Sequence, residues 1–552
     1  MQMPVIEVPL IGRAGAVALF ALVHIMFANL ALGGPLIAVA SEWWGMRTGD
    51  SLHERFAYAV ARVNVVGFGV GATLGVAFVA VLAGLWPTGW AVMLNMYFWP
   101  LVLAMGVFFL EGIALYYYLF SWRRRPLHKK RHLAWGVLTV VTGIGLFLIF
   151  DGMAAAMLTP QPNALSLGGG DPSVVVTRFA ALYLDNPTWL PSSLHRLVGA
   201  LSFTGFLVAA VAGAAYLRAR TEERKAYFRW MSGYGVRFGL LPLIAMPAIG
   251  FFYVQGIRLP SPTAYASLMT GDLRWVFDLQ VALLGGLFLL GNWYVVSLLR
   301  GTGDADSGWQ VVRHWTLVAG LIAISLGSLV AWYGSVGGFR SPPENWGIVG
   351  LLIVLYAGAV AVLENVQTGA TERQRKADWG SYGAVLLPLL LLCGVIAAAP
   401  YDQLGLNAFF LGQMRPWRFA ALIGLTTLTI PIGVLYLKAR ARGLPERKRA
   451  TGVLLPMASG VVAVAIMFVM GYAREAARAP YLVFNQLAVA DDAFEKVGSA
   501  TTVPLPSVLA LPLIAFGMLL FAVLGWLVLQ VAHGSVEEEE EEVSTPSGSL
   551  TA

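Results

Sequence analysis

The sequence predicts an all-α fold: a polytopic integral membrane helix bundle of about 13 transmembrane helices, with the N-terminus outside and the C-terminus inside. Three observations predict it. The 552-residue chain is 58% hydrophobic and only 12% charged, roughly half the charged fraction of an ordinary soluble domain. Apolar runs near the roughly 20 residues that cross a bilayer core recur along the chain. Its lysines and arginines also fall unevenly on the two sides that those runs define.

In order, the expected spans cover 13–40, 60–86, 90–120, 133–158, 193–217, 236–256, 275–299, 312–335, 347–365, 381–400, 417–437, 452–472 and 507–532. No water reaches the hydrocarbon core to satisfy backbone groups, so each run must be a helix. The first apolar stretch, Ala14 to Ala40, is too long for the core of a cleavable signal, which takes about 7–15 residues. With the N-terminus outside, the cytoplasmic side holds 26 of the 37 Lys and Arg, including Arg123, Arg124, Arg125, Lys129, Lys130 and Arg131. That bias accounts for the net charge of +7 without a nucleic-acid partner.

Between spans, the outer segments 159–192 and 473–506 contain Pro, Gly and aromatic residues and are expected to cap the helix ends. The tail 533–552, with Glu537 to Glu542, reads as an acidic disordered cytoplasmic segment. The single cysteine, Cys393, excludes intramolecular disulfides, cysteine-ligated iron–sulfur clusters and thioether-linked haem.

Ionisable groups within spans are costly and become functional candidates by default. These are His24, Glu111, Asp151, His195, Asp278, His314, Glu364, Arg418 and Glu475. His24 lies in the segment Leu22 to Pro35 of the first span, where a neutral imidazole can ligate haem iron or bond a neighbouring helix. His195 opens the fifth span ahead of Gly199, Ala200, Ser202 and Gly205, small residues that admit either a packed helix or a flat macrocycle. Glu111, in Phe108-Phe-Leu-Glu111, and Asp151 can each pass protons or pair statically with another helix. Past the twelfth span, Arg474, Glu475 and Arg478 can form an interfacial anchor. The same three can bind haem propionates and face an iron, because arginine matches carboxylates bidentately.

Together these segments resemble subunit I of the cytochrome bd family of membrane oxygen reductases. The stretch around His24 is similar to the family's Tyr-His-Phe-Leu-Phe-Val-Pro-Leu, and Trp99-Pro100 through Glu111 to Trp122 resembles its third-span segment. Glu475-Ala-Ala-Arg478-Ala-Pro480-Tyr481 resembles its Glu-x-Gly-Arg-Gln-Pro-Trp. The resemblance implies that His24 and His195 are axial haem ligands, that Glu475 ligates a high-spin haem and that Glu111 stands on a proton path. Residues 1–258 then form six family-like spans, 259–416 four additional spans, 417–532 three further family-like spans, and 533–552 the tail.

Three departures limit the carry-over. A second family glutamate falls here near Ala104 or Met105, and the family's Arg-x-Met aligns with Arg418-Phe-Ala420, without the methionine. Met467 and Met470 stand near Glu475 and can fill that role or simply pack. The long quinol-binding loop is also missing, since only about 18 residues separate Ile257 from Trp275.

The expected function is therefore a haem-binding oxidoreductase subunit, a cytochrome bd-like terminal oxidase subunit in a bacterial or archaeal plasma (inner) membrane. It carries two or three haem b, with haem d as a further option. It works with a second membrane subunit, with membrane lipid, and with an electron-donor protein such as a cytochrome c in preference to quinol. Electrons pass to oxygen and protons enter from the cytoplasm. Two alternatives remain open at this stage: a haem b anchor that does not reduce oxygen, and a haem-free secondary transporter.

Overall fold

The structure, a computed structural model, describes residues 8–124, 128–161, 179–243, 245–269, 273–299, 451–477, 481–483, 487–488 and 510–544. The expected spans from 312 to 437, with His314, Glu364 and Arg418, lie outside the described residues, as does Arg478.

The chain is helical, as its composition predicts. In order come α1 (Gly12–Thr48), α2 (Ser51–Leu85), α3 (Pro87–Phe120), α4 (Lys129–Leu158), α5 (Trp189–Arg218), α6 (Glu222–Leu243), α7 (Met246–Arg258), α8 (Pro262–Met269), α9 (Arg274–Leu299), α10 (Thr451–Ala477) and α11 (Ala510–Ser544). Seven helices among the described residues are long and apolar enough to cross a membrane: Gly15–Thr48, Ser51–Leu85, Gly89–Phe120, Lys129–Leu158, Trp189–Arg218, Gly452–Ala477 and Ala510–Ala532. A small antiparallel pair, β1 (Tyr481–Val483) with β2 (Leu487–Ala488), is the departure from an all-α chain among the described residues.

Local chemistry sets the joints. Gly49 ends α1 in the left-handed region at φ +69°, with its N–H on the Gly45 carbonyl at 2.8 Å; glycine takes that conformation without a Cβ penalty. Asp50 then caps α2, accepting from the Leu52 N–H at 2.9 Å. Pro87 opens α3, where its missing N–H costs nothing. Within α3, Tyr97 leaves helical geometry (φ −105°, ψ 15°) just ahead of Pro100, whose ring crowds the carbonyl one turn back.

Two expectations need correcting. The sixth span, expected as one helix over 236–256, is α6 and α7 with a break between Leu243 and Met246. Pro242 and Pro247 flank that break, and a proline can supply no helix-propagating N–H. The tail is not disordered throughout: α11 continues through the glutamate run to Ser544. Glutamate is a good helix former, and extending an existing helix needs no new nucleus.

The chain divides into two compact units. One comprises Met1–Gly205, Ala248–Tyr265 and Met467–Ala552. In it α1 packs along α2, and α3 along α4. Phe521 of α11 meets Phe27 edge-on at 5.3 Å and also faces Phe203 and Phe468. A Cβ on Gly33 would stand 2.7 Å from the Ala200 carbonyl of α5, and one on Gly34 2.5 Å from Asn64 Oδ1 of α2, so α1 meets α5 backbone at Gly33 and an α2 side chain at Gly34. The residues described after α4 and α10 pack against α3 and α4. Leu182, Tyr183 and Val483 pack on Met96, Tyr97, Met153 and Ala156. The Tyr183 hydroxyl donates to the Ile149 carbonyl at 3.1 Å, and burial pushes its phenol pKa up.

The other unit comprises Phe206–Pro247 and Ala266–Ile466. Its described core joins Phe206, Val236, Leu240, Phe288, Tyr294 and Leu455. Ser232 Oγ donates to the Ala209 carbonyl at 3.0 Å.

Candidate functional site

The described candidates all lie in the first unit, apart from Asp278 on α9, whose side chain is not described. His24 projects from α1 towards α2. Its Nδ1 is 3.0 Å from the Gly71 carbonyl, so Nδ1 carries the proton and donates. That leaves Nε2 as the basic nitrogen, the tautomer a metal-ligating histidine uses when a carbonyl fixes its other side. Gly75 makes room for the ring, since a Cβ there would stand 3.0 Å from His24 Cε1.

His195 is buried on the first turns of α5. Its Nε2 faces the sulfur of Met470 on α10 at 3.4 Å, and Nδ1 has no hydrogen-bond partner in the structure. Gly250 of α7 lies against the ring, where a Cβ would be 3.1 Å from Cε1. The small residues after His195 serve helix packing in part, with Ala200 and Thr204 receiving Gly33.

Asp151 is fully buried and accepts hydrogen bonds from Ser192 Oγ at 2.5 Å, Ser193 Oγ at 2.7 Å and the guanidinium of Arg196. This is the static pairing among its two readings. Three of the four residues around His195 are thereby tied to α4, which fixes the rotation of α5 about its axis and so the direction of the imidazole.

Arg474 and Glu475 stand at the end of α10, beyond Gly471, which abuts Leu22 two residues before His24. Arg474 Nη2 is buried with no hydrogen-bond partner in the structure. An unsatisfied buried guanidinium nitrogen is expensive, and an anionic group is its natural partner.

Glu111 is 3% exposed on α3, against α4. Gly143 gives it space, because a Cβ there would stand 3.0 Å from Oε1. The sequence reading passed over a second buried group nearby. Glu42 on α1 is fully buried; it accepts from the Tyr118 hydroxyl at 2.8 Å and lies 3.4 Å from His132 Nε2. His132 Nδ1 meets Ser121 Oγ at 2.8 Å. Glu42 and His132 fall two residues and one residue beyond the expected spans 13–40 and 133–158, yet α1 runs to Thr48 and α4 starts at Lys129. The helix extension was the missing signal.

Among the described residues no three His, Cys, Asp or Glu cluster as a metal-ion site. A haem iron needs only one or two protein ligands, and isolated, oriented imidazoles of this kind suit that requirement. The family model for cytochrome bd terminal oxidase subunit I matches residues 15–271. That stretch is similar to cytochrome bd terminal oxidase subunit I.

The matched residues include His24, Glu111, Asp151 and His195, whereas Met470, Arg474 and Glu475 lie outside them. A Bacillus subtilis (strain 168) protein provisionally described as a cytochrome bd menaquinol oxidase subunit I is 25% identical over 211 residues. The alignment covers 36% of this chain and 44% of that relative, so the chain spans less than half of the relative's length. The structure of bd oxidase from Geobacillus thermodenitrificans is also similar, at 16% identity, covering 78% of this chain and 97% of that chain. Its TM-score of 0.40 is too low to carry positions across.

Proposed function

We propose that this chain is a haem-binding membrane oxidoreductase subunit of the cytochrome bd-like type, passing electrons from a donor to oxygen with proton uptake from the cytoplasm. The meeting of His195 and Met470 carries the reading: an imidazole and a thioether, 3.4 Å apart and partly buried among the helices, are the side-chain types that would hold a haem iron here. His24 would hold a second haem through Nε2, with Nδ1 fixed by the Gly71 carbonyl. Glu475 is the third candidate ligand. Arg474 offers its open Nη2 to a propionate, with Arg478 and Arg418 as further partners for carboxylates. When bound, haem supplies one-electron relay and an iron able to take oxygen.

The protein's own groups do the rest. Asp151 holds the His195 turn through Ser192, Ser193 and Arg196. Glu111 lies buried against α4 at Gly143 and can hold a proton bound for the site of reduction. The positive-inside bias supports a cytoplasmic position for the Arg123 to Arg131 loop, so protons would enter from that end. A protein donor such as a cytochrome c suits the missing loop better than quinol, although the Bacillus subtilis relative is named for menaquinol. A second membrane subunit completes the assembly.

Purified protein tests the reading. A Soret band should be present and should diminish in His24→Ala and His195→Ala, with oxygen uptake supported by reduced cytochrome c. A folded, colourless preparation would overturn it, and uptake supported only by quinol would overturn the donor assignment.

A further inference from the structure

Glu42 and His132 are two ionisable groups that the function above leaves unused. Glu42 is fully buried and His132 is 2% exposed, both within helices long enough to span a membrane. Burying an ion pair is a weak way to gain stability, because desolvation offsets the attraction, so a stabilising role alone does not account for it. The neighbours place one hydrogen bond on each side of the His132–Glu42 approach, which is an ion-pair distance and not a hydrogen bond. Ser121 Oγ meets His132 Nδ1 at 2.8 Å, His132 Nε2 faces Glu42 Oε1 at 3.4 Å, and Glu42 Oε2 takes the Tyr118 hydroxyl at 2.8 Å. Ser121 is only half-buried, in the turn Ser121–Arg124, and the start of α4 beside it is exposed at Lys129, Lys130 and Arg131. The series therefore begins at the surface and ends inside.

From its inner end a polar stripe continues towards Glu111. Tyr118 is seven residues from Glu111 on α3, two helical turns or about 10 Å along the same face. On α4, positions 132, 139 and 143 also share a face, and Thr139 and Thr142 are buried hydroxyls donating to the Trp135 and Leu138 carbonyls. Gly143 ends that stripe against Glu111 Oε1. Gly136 lies between, with Tyr118 and Val39 pressed upon it.

We propose that Glu42 and His132 form a proton-loading pair that takes protons from the aqueous side and supplies Glu111. This rests on the oxidase reading. A hydronium ion on the exposed side protonates Ser121 Oγ as the Ser121 proton passes to His132 Nδ1, and His132 gives up the proton on Nε2 to Glu42 Oε1: in net, one O–H bond of the hydronium and one N–H bond break while one N–H and one O–H bond form. Glu42 then passes that proton through the Tyr118 hydroxyl and on along the stripe to the Glu111 carboxylate, and His132, left protonated on Nδ1 alone, turns its ring to restore the Nε2–H form.

The test is Glu42→Gln in the complete protein. The amide keeps the shape and can still accept from Tyr118, but it cannot carry a proton. The haem spectrum should match the parent, while the rate of oxygen reduction, and of proton uptake with it, slows on the order of 10²-fold and the solvent deuterium isotope effect grows. Parent rates of proton uptake in E42Q, with haem intact, would overturn the pair alone. A wild type that consumes no oxygen would overturn the oxidase reading and this one with it. If E42Q fails to fold, Ser121→Ala carries the test, because it removes only the hydroxyl on His132 Nδ1. The same slowing is expected, and parent rates would overturn the proposal.

Discussion

His195 Nε2 and the sulfur of Met470, 275 residues apart in the chain, face each other at 3.4 Å inside one unit of the protein. Leucine matches methionine in volume but has no sulfur. Met470→Leu should therefore cost less than about 1.5 kcal/mol of stability while converting the haem at His195 to a high-spin form that binds carbon monoxide. Reduced-minus-oxidised and carbon monoxide difference spectra report this, and an unchanged spectrum would assign Met470 to packing.

Asp151→Asn removes the charge that balances Arg196 and leaves the guanidinium uncompensated. Breaking a buried pair in this way costs about 3–5 kcal/mol. A lowered unfolding midpoint is expected together with reduced haem at His195, because α5 loses its tether. A variant that loses neither stability nor haem would show that α5 is held by other contacts.

At Gly75 a methyl group would stand 3.0 Å from His24 Cε1, close enough that the imidazole must give way by a few tenths of an ångström. Gly75→Ala should lower the haem-to-protein ratio, measured after pyridine extraction, without changing helix content by circular dichroism. Gly69 serves as the control on the same helix, since nothing lies within 4 Å of its Cβ position. Equal haem loss in Gly69→Ala would sink the steric argument.

Orientation is open to a direct test. His128 is exposed at the start of α4, and Cys393 is the single native thiol. In a Cys393→Ser background, His128→Cys should react with a membrane-impermeant maleimide in inside-out vesicles and resist it in intact cells. The reverse pattern would invert the assigned topology and move the proposed proton entry to the outer side.

Much of this was legible in the sequence, for physical reasons that differ from residue to residue. Long apolar runs mark helices because lipid allows little else, and His24 and His195 stood out because few ionisable groups occur at that depth. Glu42 and His132 escaped notice because hydropathy finds the lipid-crossing part of a helix, whereas hydrogen bonding continues to Thr48 and back to Lys129. Met470 could not be separated from an ordinary core methionine, since its meaning lies in a partner 275 residues away. Asp151 was ambiguous for the same reason. Pro242 and Pro247 were readable as breakers, but the apolar run across them masked the interruption between α6 and α7.

The paired glycines of α1 have a mechanical consequence. Gly33 is notched against Ala200 and Thr204, and Gly34 against Asn64, so α1 is caught like a rod between two pawls. His24 lies nine residues before that catch and His195 five residues before Ala200. A slip of α1 past α5 by a single residue, about 1.5 Å, would drive side-chain atoms into backbone. The two imidazoles are thus locked in depth relative to each other by residues that touch neither of them.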